Sequence, residues 1–221
     1  VPMCLFTGIG IAFAVYKKIK FGSLFRFIYL LPWVTSTVIA ALAFRYIFNP
    51  RMGIVNYIIK LIGIRPVVWG SNVKNTVPIL ALIHSWQMLG FGMIIFVGAI
   101  VSIPKELIES AMIEGATNLQ ILWYIILPLI RPIIFFYLVI TTITAFQIFD
   151  SAYIFSECTN GFNTTEALSA PVLTASYLTY VIAFSQLWFG KASSMAILMF
   201  LIVFGIILIQ RKFIGKKVDL Y

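Results

Sequence analysis

Charge is scarce in this 221-residue chain and acid is scarcest: charged residues make up 10%, with 7 Asp and Glu against 16 Lys and Arg. Soluble domains carry about 25% charge and about 45–50% apolar residues, whereas 62% of this chain is hydrophobic, which excludes an ordinary soluble domain. The sequence holds a single histidine, His84, and two cysteines. Cys4 lies in an apolar run and Cys158 in a polar loop, without metal-ligand spacing or a disulfide framework, so redox and metal chemistry find no support. H-E-x-x-H, G-x-S-x-G and G-x-x-x-x-G-K-[ST] are all missing. Gly190-Lys191 comes nearest to the last of these, but Ala192 follows it and Ser185 stands where its first glycine is required. The Lys and Arg residues sit mostly at the ends of apolar runs, which argues for helix anchoring rather than nucleic-acid binding.

Long hydrophobic runs are what the chain does have. A helix needs about 20 apolar residues to cross the hydrocarbon. Five stretches approach or meet that length: Val1–Tyr16, Leu24–Phe48, Val77–Ile103, Ile133–Phe155 and Lys191–Gln210. They lack the alternation of a membrane barrel, so the fold class is all-α, a polytopic helical membrane protein. The first stretch opens inside an apolar run, and an N-terminal span is expected to be missing, in part or whole.

Positive charge sets the orientation. Lys17, Lys18, Lys20 and Arg26 follow the first stretch, and Arg211, Lys212, Lys216 and Lys217 follow the last, which places both exits and the C-terminus in the cytoplasm. Residues 102–132 are then cytoplasmic, and 49–76 and 156–190 are external loops. Arg51, Lys60, Arg65 and Lys74 make the first external loop basic, against the rule. Much of it reads as an amphipathic helix, Ile54–Ile62, between Gly53 and Gly63, able to lie on the membrane surface with or without a binding role.

The segment between the third and fourth stretches carries Glu106, Glu109 and Glu114. Each would cost about 2.5–3.5 kcal/mol at a bilayer centre, so they belong in water or against protein. Pro104 suits a helix first turn, Ser102 can cap it, and Glu106 and Glu109 lie near the positive end of the dipole. Leu107, Ala111 and Glu114 follow at helical spacing, and Gly115 can take the left-handed conformation that ends the helix. Asn118 can cap a second short helix with Leu119, Leu122, Trp123 and Ile126 on one face, before Pro128 and Pro132 break the pattern. Periodicity alone serves two readings equally: a helical hairpin offered to a partner's groove, and a loop tucked under the chain's own spans.

Glu109-Ser110-Ala111, then Glu114-Gly115-Ala116, then Ile125, Leu127-Pro128 and Pro132 resemble the EAA loop of binding-protein-dependent ABC importer permeases, with the spacing kept. Ser110 replaces the middle alanine and Glu114 an aspartate. Phe27-Ile28-Tyr29-Leu30-Leu31-Pro32, Phe48-Asn49-Pro50 with Gly53 and Asn56, Trp86 with Gly90-Phe91, Ile103 to Leu107, Phe146, Phe149-Asp150, Tyr153 and Gly190 to Ser193 are similar to the carbohydrate-uptake branch, the maltose and glycerol-phosphate type. Cys158-Thr159-Asn160-Gly161 departs from that branch's usual turn.

The resemblance implies the type I ABC importer permease fold in a single transmembrane domain. It implies a non-enzymatic subunit of a bacterial or archaeal cytoplasmic membrane, working with a second homologous permease, two ATPase subunits that bind ATP and Mg, and an extracellular solute-binding protein. Glu109, Ser110, Ala111, Glu114, Gly115 and Ala116 would couple to the ATPase, with Glu109 facing a basic residue there and Gly115 forming the bend. Sugar sites pair aromatic faces with amide, hydroxyl or carboxylate groups, and Trp86, Gln87, Phe146, Gln147, Asp150 and Tyr153 supply both. Phe146, Gln147 and Asp150 can share one helical face. Core packing explains the same residues equally well, and Tyr177 and Tyr180 equally read as interfacial anchors. The rival is an ion-gradient-driven transporter of a small polar solute, which would place acidic or histidine relays at mid-membrane and often show inverted repeats. His84 and Asp150 are the sparse candidates for such a relay.

Overall fold

Apolar runs of this length can satisfy their backbone N–H and C=O groups in hydrocarbon only by bonding within the segment, as helix. The computed structural model describes residues 1–16, 22–69, 73–160 and 173–214, and every regular element among them is helical. Lys17, Lys18, Lys20, Lys216, Lys217 and Gly161 lie outside the described residues.

Among the described residues three helical stretches are long and apolar enough to cross a membrane: Val73–Val101, Arg131–Ser156, which is interrupted after Phe146, and Phe189–Ile214. The first expected span is a helix of 15 residues, Pro2–Tyr16, short of that length. The second, expected over Leu24–Phe48, is broken into helices Gly22–Val34 and Thr37–Ile47, which make a fourth crossing only if the bent pair is taken together. Pro32 removes one ladder N–H just before the break, and Ser36, between two threonines, leaves helical geometry at ψ 133°.

The chain folds as two compact units. Val1–Trp33, Met88–Ile143 and Phe204–Tyr221 make the first, and Val34–Gln87 with Thr144–Val203 the second. In the first, Gly8 and Gly92 mark a close helix crossing, where a Cβ on Gly92 would stand 3.2 Å from Gly8 Cα and 2.9 Å from the Tyr137 hydroxyl. Tyr137 is fully buried, packs on Phe91 and Phe96, and donates to the Cys4 carbonyl at 3.2 Å, with the Met88 carbonyl at 3.4 Å. Gly90 admits the helix Gly22–Val34 in the same way, since a Cβ there would lie 2.8 Å from the Tyr29 carbonyl oxygen. Small residues at such crossings let backbones approach where lipid offers no hydrophobic drive for association.

The second unit is organised by hydroxyls, aromatic rings and the side-chain amides of Asn56 and Gln87. Asn56 is buried and satisfied on both ends. Its Nδ2 donates to the carbonyls of Pro50 (3.0 Å) and Val67 (2.8 Å), and its Oδ1 accepts from the Val67 N–H (3.1 Å) and the Trp69 indole N–H (2.9 Å). The Asn49 side chain accepts from the N–H groups of Arg51 and Met52, closing the turn before it. Gly53 admits no side chain, because a Cβ would collide with the Asn49 carbonyl oxygen and stand 2.6 Å from Asn49 N and from the Ile47 carbonyl oxygen. The Thr37–Ile47 helix packs along Asp150–Asn160.

Candidate functional site

The segment 102–132 is two helices joined at Gly115. The first, Lys105–Ile113, begins after Pro104 without a side-chain cap. Ser102 does not cap it, because its hydroxyl donates instead to the Ala99 carbonyl at 2.7 Å. Its C-terminus closes in a Schellman turn: Gly115 has φ +82°, its N–H bonds the Met112 carbonyl (3.1 Å), and the Ala116 N–H bonds the Ala111 carbonyl (2.9 Å). Thr117, not Asn118, caps the second helix, Asn118–Leu129, through a capping box with Gln120. The Thr117 N–H donates to Gln120 Oε1 at 2.7 Å, and the Gln120 N–H to Thr117 Oγ1 at 3.4 Å. Leu122–Ile126 runs as a π-helical turn just ahead of Pro128.

The hairpin has two faces. Ile108, Ile121, Ile126 and Ile130 are buried in the core of the first unit, with Ala111, Ala116, Leu122 and Ile125 packed beside them. Leu107, Met112, Ile113, Leu119, Trp123 and Tyr124 stay exposed, Ile113 at 87%. The stripe expected over Leu119, Leu122, Trp123 and Ile126 is therefore divided between the two. Glu109, Ser110, Glu114 and Gly115 are exposed beside the open apolar face, while Ala111 and Ala116 are half-buried. The arrangement is an elbow rooted in its own unit, with an apolar surface edged by two carboxylates.

The six residues proposed for a solute path all belong to the second unit, where they make different contacts. Trp86 packs edge-on against Phe44 (ring centroids 5.4 Å apart), and buried Gln87 donates to Thr37 Oγ1 at 3.4 Å, so both engage the Thr37–Ile47 helix. Phe146, Gln147 and Asp150 do not share a continuous helical face. The helix Arg131–Phe146 stops, Gln147 is exposed in the interruption, and a new helix starts at Asp150. The Phe146 and Ile148 carbonyls released there accept from the hydroxyls of Ser176 (2.9 Å) and Thr174 (2.8 Å). Non-helical backbone at membrane depth persists only where such partners exist.

Tyr153 joins a cluster that spacing did not reveal. It stacks on Phe149 (5.7 Å) and meets Tyr177 (5.9 Å) and Tyr180 (6.3 Å) edge-on. Tyr177 is buried and hydrogen-bonded to Ser156 at 2.8 Å, so it is a core residue, whereas Tyr180 is 39% exposed. The signal in the sequence was the pair of tyrosines three apart, which also fits interfacial anchoring. The helix Asp150–Asn160 includes Cys158, Thr159 and Asn160, so the departure noted there begins as helix rather than as a turn.

Residues 6–218 match the family described as binding-protein-dependent transport system inner membrane component. The chain belongs to that family. The permease is 30% identical to the arabinooligosaccharides transport system permease protein AraP of Halalkalibacterium halodurans, over 97% of its own length and 68% of that protein's. It is 30% identical to the sn-glycerol-3-phosphate transport system permease protein UgpA of Brucella abortus, over 94% and 68%. With the probable ABC transporter permease protein YesP of Bacillus subtilis it shares 34% identity, over 96% and 67%. Among solved structures, a bacterial alginate ABC transporter in complex with alginate pentasaccharide-bound periplasmic protein aligns at TM-score 0.77 and 25% identity, covering 94% of the permease and 70% of that chain. A second structure, of an ABC transporter importing alginate, has the same fold at TM-score 0.78 and 24% identity, over 96% and 73%. The permease is a multi-pass membrane transport subunit of an ABC importer that works with a binding protein.

Proposed function

We propose that the permease provides half of a translocation path for a sugar or related polyol, in a bacterial or archaeal cytoplasmic membrane with its C-terminus inside. A second, homologous permease supplies the other half, an extracellular solute-binding protein delivers the solute, and two ATPase subunits bind ATP and Mg. The relatives' carbohydrate and glycerol-phosphate substrates support the solute class.

The observation that carries the coupling role is the elbow at Gly115: one face is fastened in the permease core while Glu109, Glu114, Ile113 and Trp123 face outward. An element that is rigid on its own side and apolar on the other transmits displacement when a partner grips it. Glu109 and Glu114 give the grip its sign, toward a basic partner. Ser110, Ala111, Gly115 and Ala116 keep the approach close. For the solute, Trp86, Gln87, Phe146, Gln147, Asp150 and Tyr153 remain the candidate contacts, with Tyr180 added by its exposed ring.

The test is uptake into proteoliposomes containing the whole complex, with ATP inside or outside and ionophores collapsing every ion gradient. Uptake that persists without gradients and stops without ATP is the expected result. Uptake that follows the gradient and ignores ATP would overturn the reading in favour of a secondary transporter. Glu109→Lys should leave ATP hydrolysis in place while uptake falls by about tenfold or more, the scale of one charge contact reversed at an interface.

A further inference from the structure

The helix Ile54–Leu61 turns most of its apolar residues outward, with Val55 and Ile59 half-buried. Ile54, Tyr57, Ile58, Leu61 and Ile62 fall at spacings of three and four, which is one face of a helix, and each is at least half exposed. Its opposite side is taken by Asn56, whose amide ties the helix to Pro50, Val67 and Trp69. Both ends are held as well. Gly53 is pressed against Asn49, and after Ile62 the chain makes a second Schellman turn with Gly63 at φ +83°. The Gly63 N–H bonds the Lys60 carbonyl and the Ile64 N–H bonds the Ile59 carbonyl. This is a two-turn helix about 12 Å long, fixed with its oily side away from its own unit.

The charge around it has one sign. Arg51, Lys60, Arg65 and Lys74 are exposed, and residues 49–76 contain no Asp or Glu. A binding surface for an acidic protein would use the same cations but has no need of five outward aliphatic and aromatic side chains beside them. A boundary between acyl chains and anionic headgroups uses both: the apolar stripe enters the outer acyl region while Lys and Arg reach phosphate. We infer that the Ile54–Ile62 face is a lipid-binding foot, seated on anionic phospholipid headgroups. This also accounts for a basic loop where the orientation rule expects few positive charges. The inference needs only that residues 49–69 meet a membrane surface, and so stands apart from the coupling role of the elbow.

The experiment places a cysteine at each position from 54 to 62 in turn, except Asn56, in a Cys158→Ser background. Each is labelled with an environment-sensitive fluorophore in the assembled transporter. Reconstitution uses vesicles of phosphatidylcholine, or of equal parts phosphatidylcholine and phosphatidylglycerol, both carrying a lipid with a nitroxide near the headgroup. Blue shift and quenching are expected to peak at 54, 57, 58, 61 and 62, to fall at 55 and 59, and to be stronger in the anionic vesicles. Lys60→Glu with Arg65→Glu should remove that extra quenching while leaving ATP-driven uptake measurable. Labels that are blue-shifted but unquenched would mean that protein covers the stripe, and a flat, water-exposed profile would mean that nothing does. Either result, or equal quenching in both vesicles, overturns the proposal.

Discussion

The Ser176 hydroxyl donates to the carbonyl of Phe146 at 2.9 Å, joining the start of a short helix to the end of a longer one 30 residues earlier. Beside it Thr174 caps its own helix through the Tyr177 N–H and donates to the Ile148 carbonyl. These two hydroxyls allow the chain to leave helical geometry between Phe146 and Asp150. Removing one takes from a carbonyl the side-chain donor that holds it.

Ser176→Ala should therefore destabilise the permease by about 1 kcal/mol, the range found for interhelical hydrogen bonds in membranes. Thr174→Ala, which loses the cap as well, should cost about 1–3 kcal/mol. Ser176→Thr keeps the hydroxyl and should restore most of the loss. Thermal unfolding of the purified complex in detergent reads these differences; a Ser176→Ala variant with unchanged stability would show that the carbonyl finds another donor.

Asn56 makes four hydrogen bonds and no smaller residue can replace them. Asn56→Ala strands the Trp69 indole N–H and the Val67 N–H, for an expected loss of about 2–4 kcal/mol localised to residues 49–69. Asn56→Asp keeps the acceptor but turns a carboxylate oxygen onto the Pro50 and Val67 carbonyls in a buried site, and should cost at least as much as Ala. Limited proteolysis in that loop should accelerate in both variants, while cleavage elsewhere holds steady. Uniform acceleration along the chain would mean that the amide supports the whole unit rather than the loop.

Gly92 and Gly98 lie on one helix with different surroundings. A Cβ at Gly92 meets the Tyr137 hydroxyl at 2.9 Å and Gly8 Cα at 3.2 Å, whereas one at Gly98 meets nothing within 4 Å. Gly92→Ala should cost about 1–3 kcal/mol by overpacking, while Gly98→Ala should be neutral or stabilise slightly through better helix propensity. Equal unfolding temperatures for the two variants would show that the crossing separates without strain.

What could be read from residues alone follows the range of the interactions. The elbow was legible: Pro104, Gly115 and the spacing of Leu107, Ala111 and Glu114 act within one or two turns, and the bend falls at Gly115. The cap was missed by one residue, although Thr117 and Gln120 spell a capping box, because Asn118 is as good a cap in isolation. The interruption after Phe146 was not legible, since the hydroxyls that permit it come from Thr174 and Ser176. The break at Ser36 interrupts an apolar run whose composition alone reads as a single span. Trp86 and Tyr153 carry the chemistry of a sugar contact, but their neighbours Phe44 and Tyr177 are tens of residues away in sequence.

Gly115 separates backbone geometry from contact. Its φ of +82° disfavours most side chains, yet a Cβ there meets nothing within 4 Å, so within the permease the penalty is conformational rather than steric. Asn and Asp tolerate this left-handed region better than other residues, and β-branched residues tolerate it worst. Gly115→Asn should keep the fold within about 0.5–1 kcal/mol of the parent, and Gly115→Val should lose about 1–2 kcal/mol. Gly115→Asp should match Asn in stability but add a third carboxylate beside Glu109 and Glu114. If the elbow is gripped as proposed, Asp should lower solute carried per ATP hydrolysed, well below Asn. Equal coupling in the two variants would leave Gly115 a role in shaping the turn and none in meeting the ATPase.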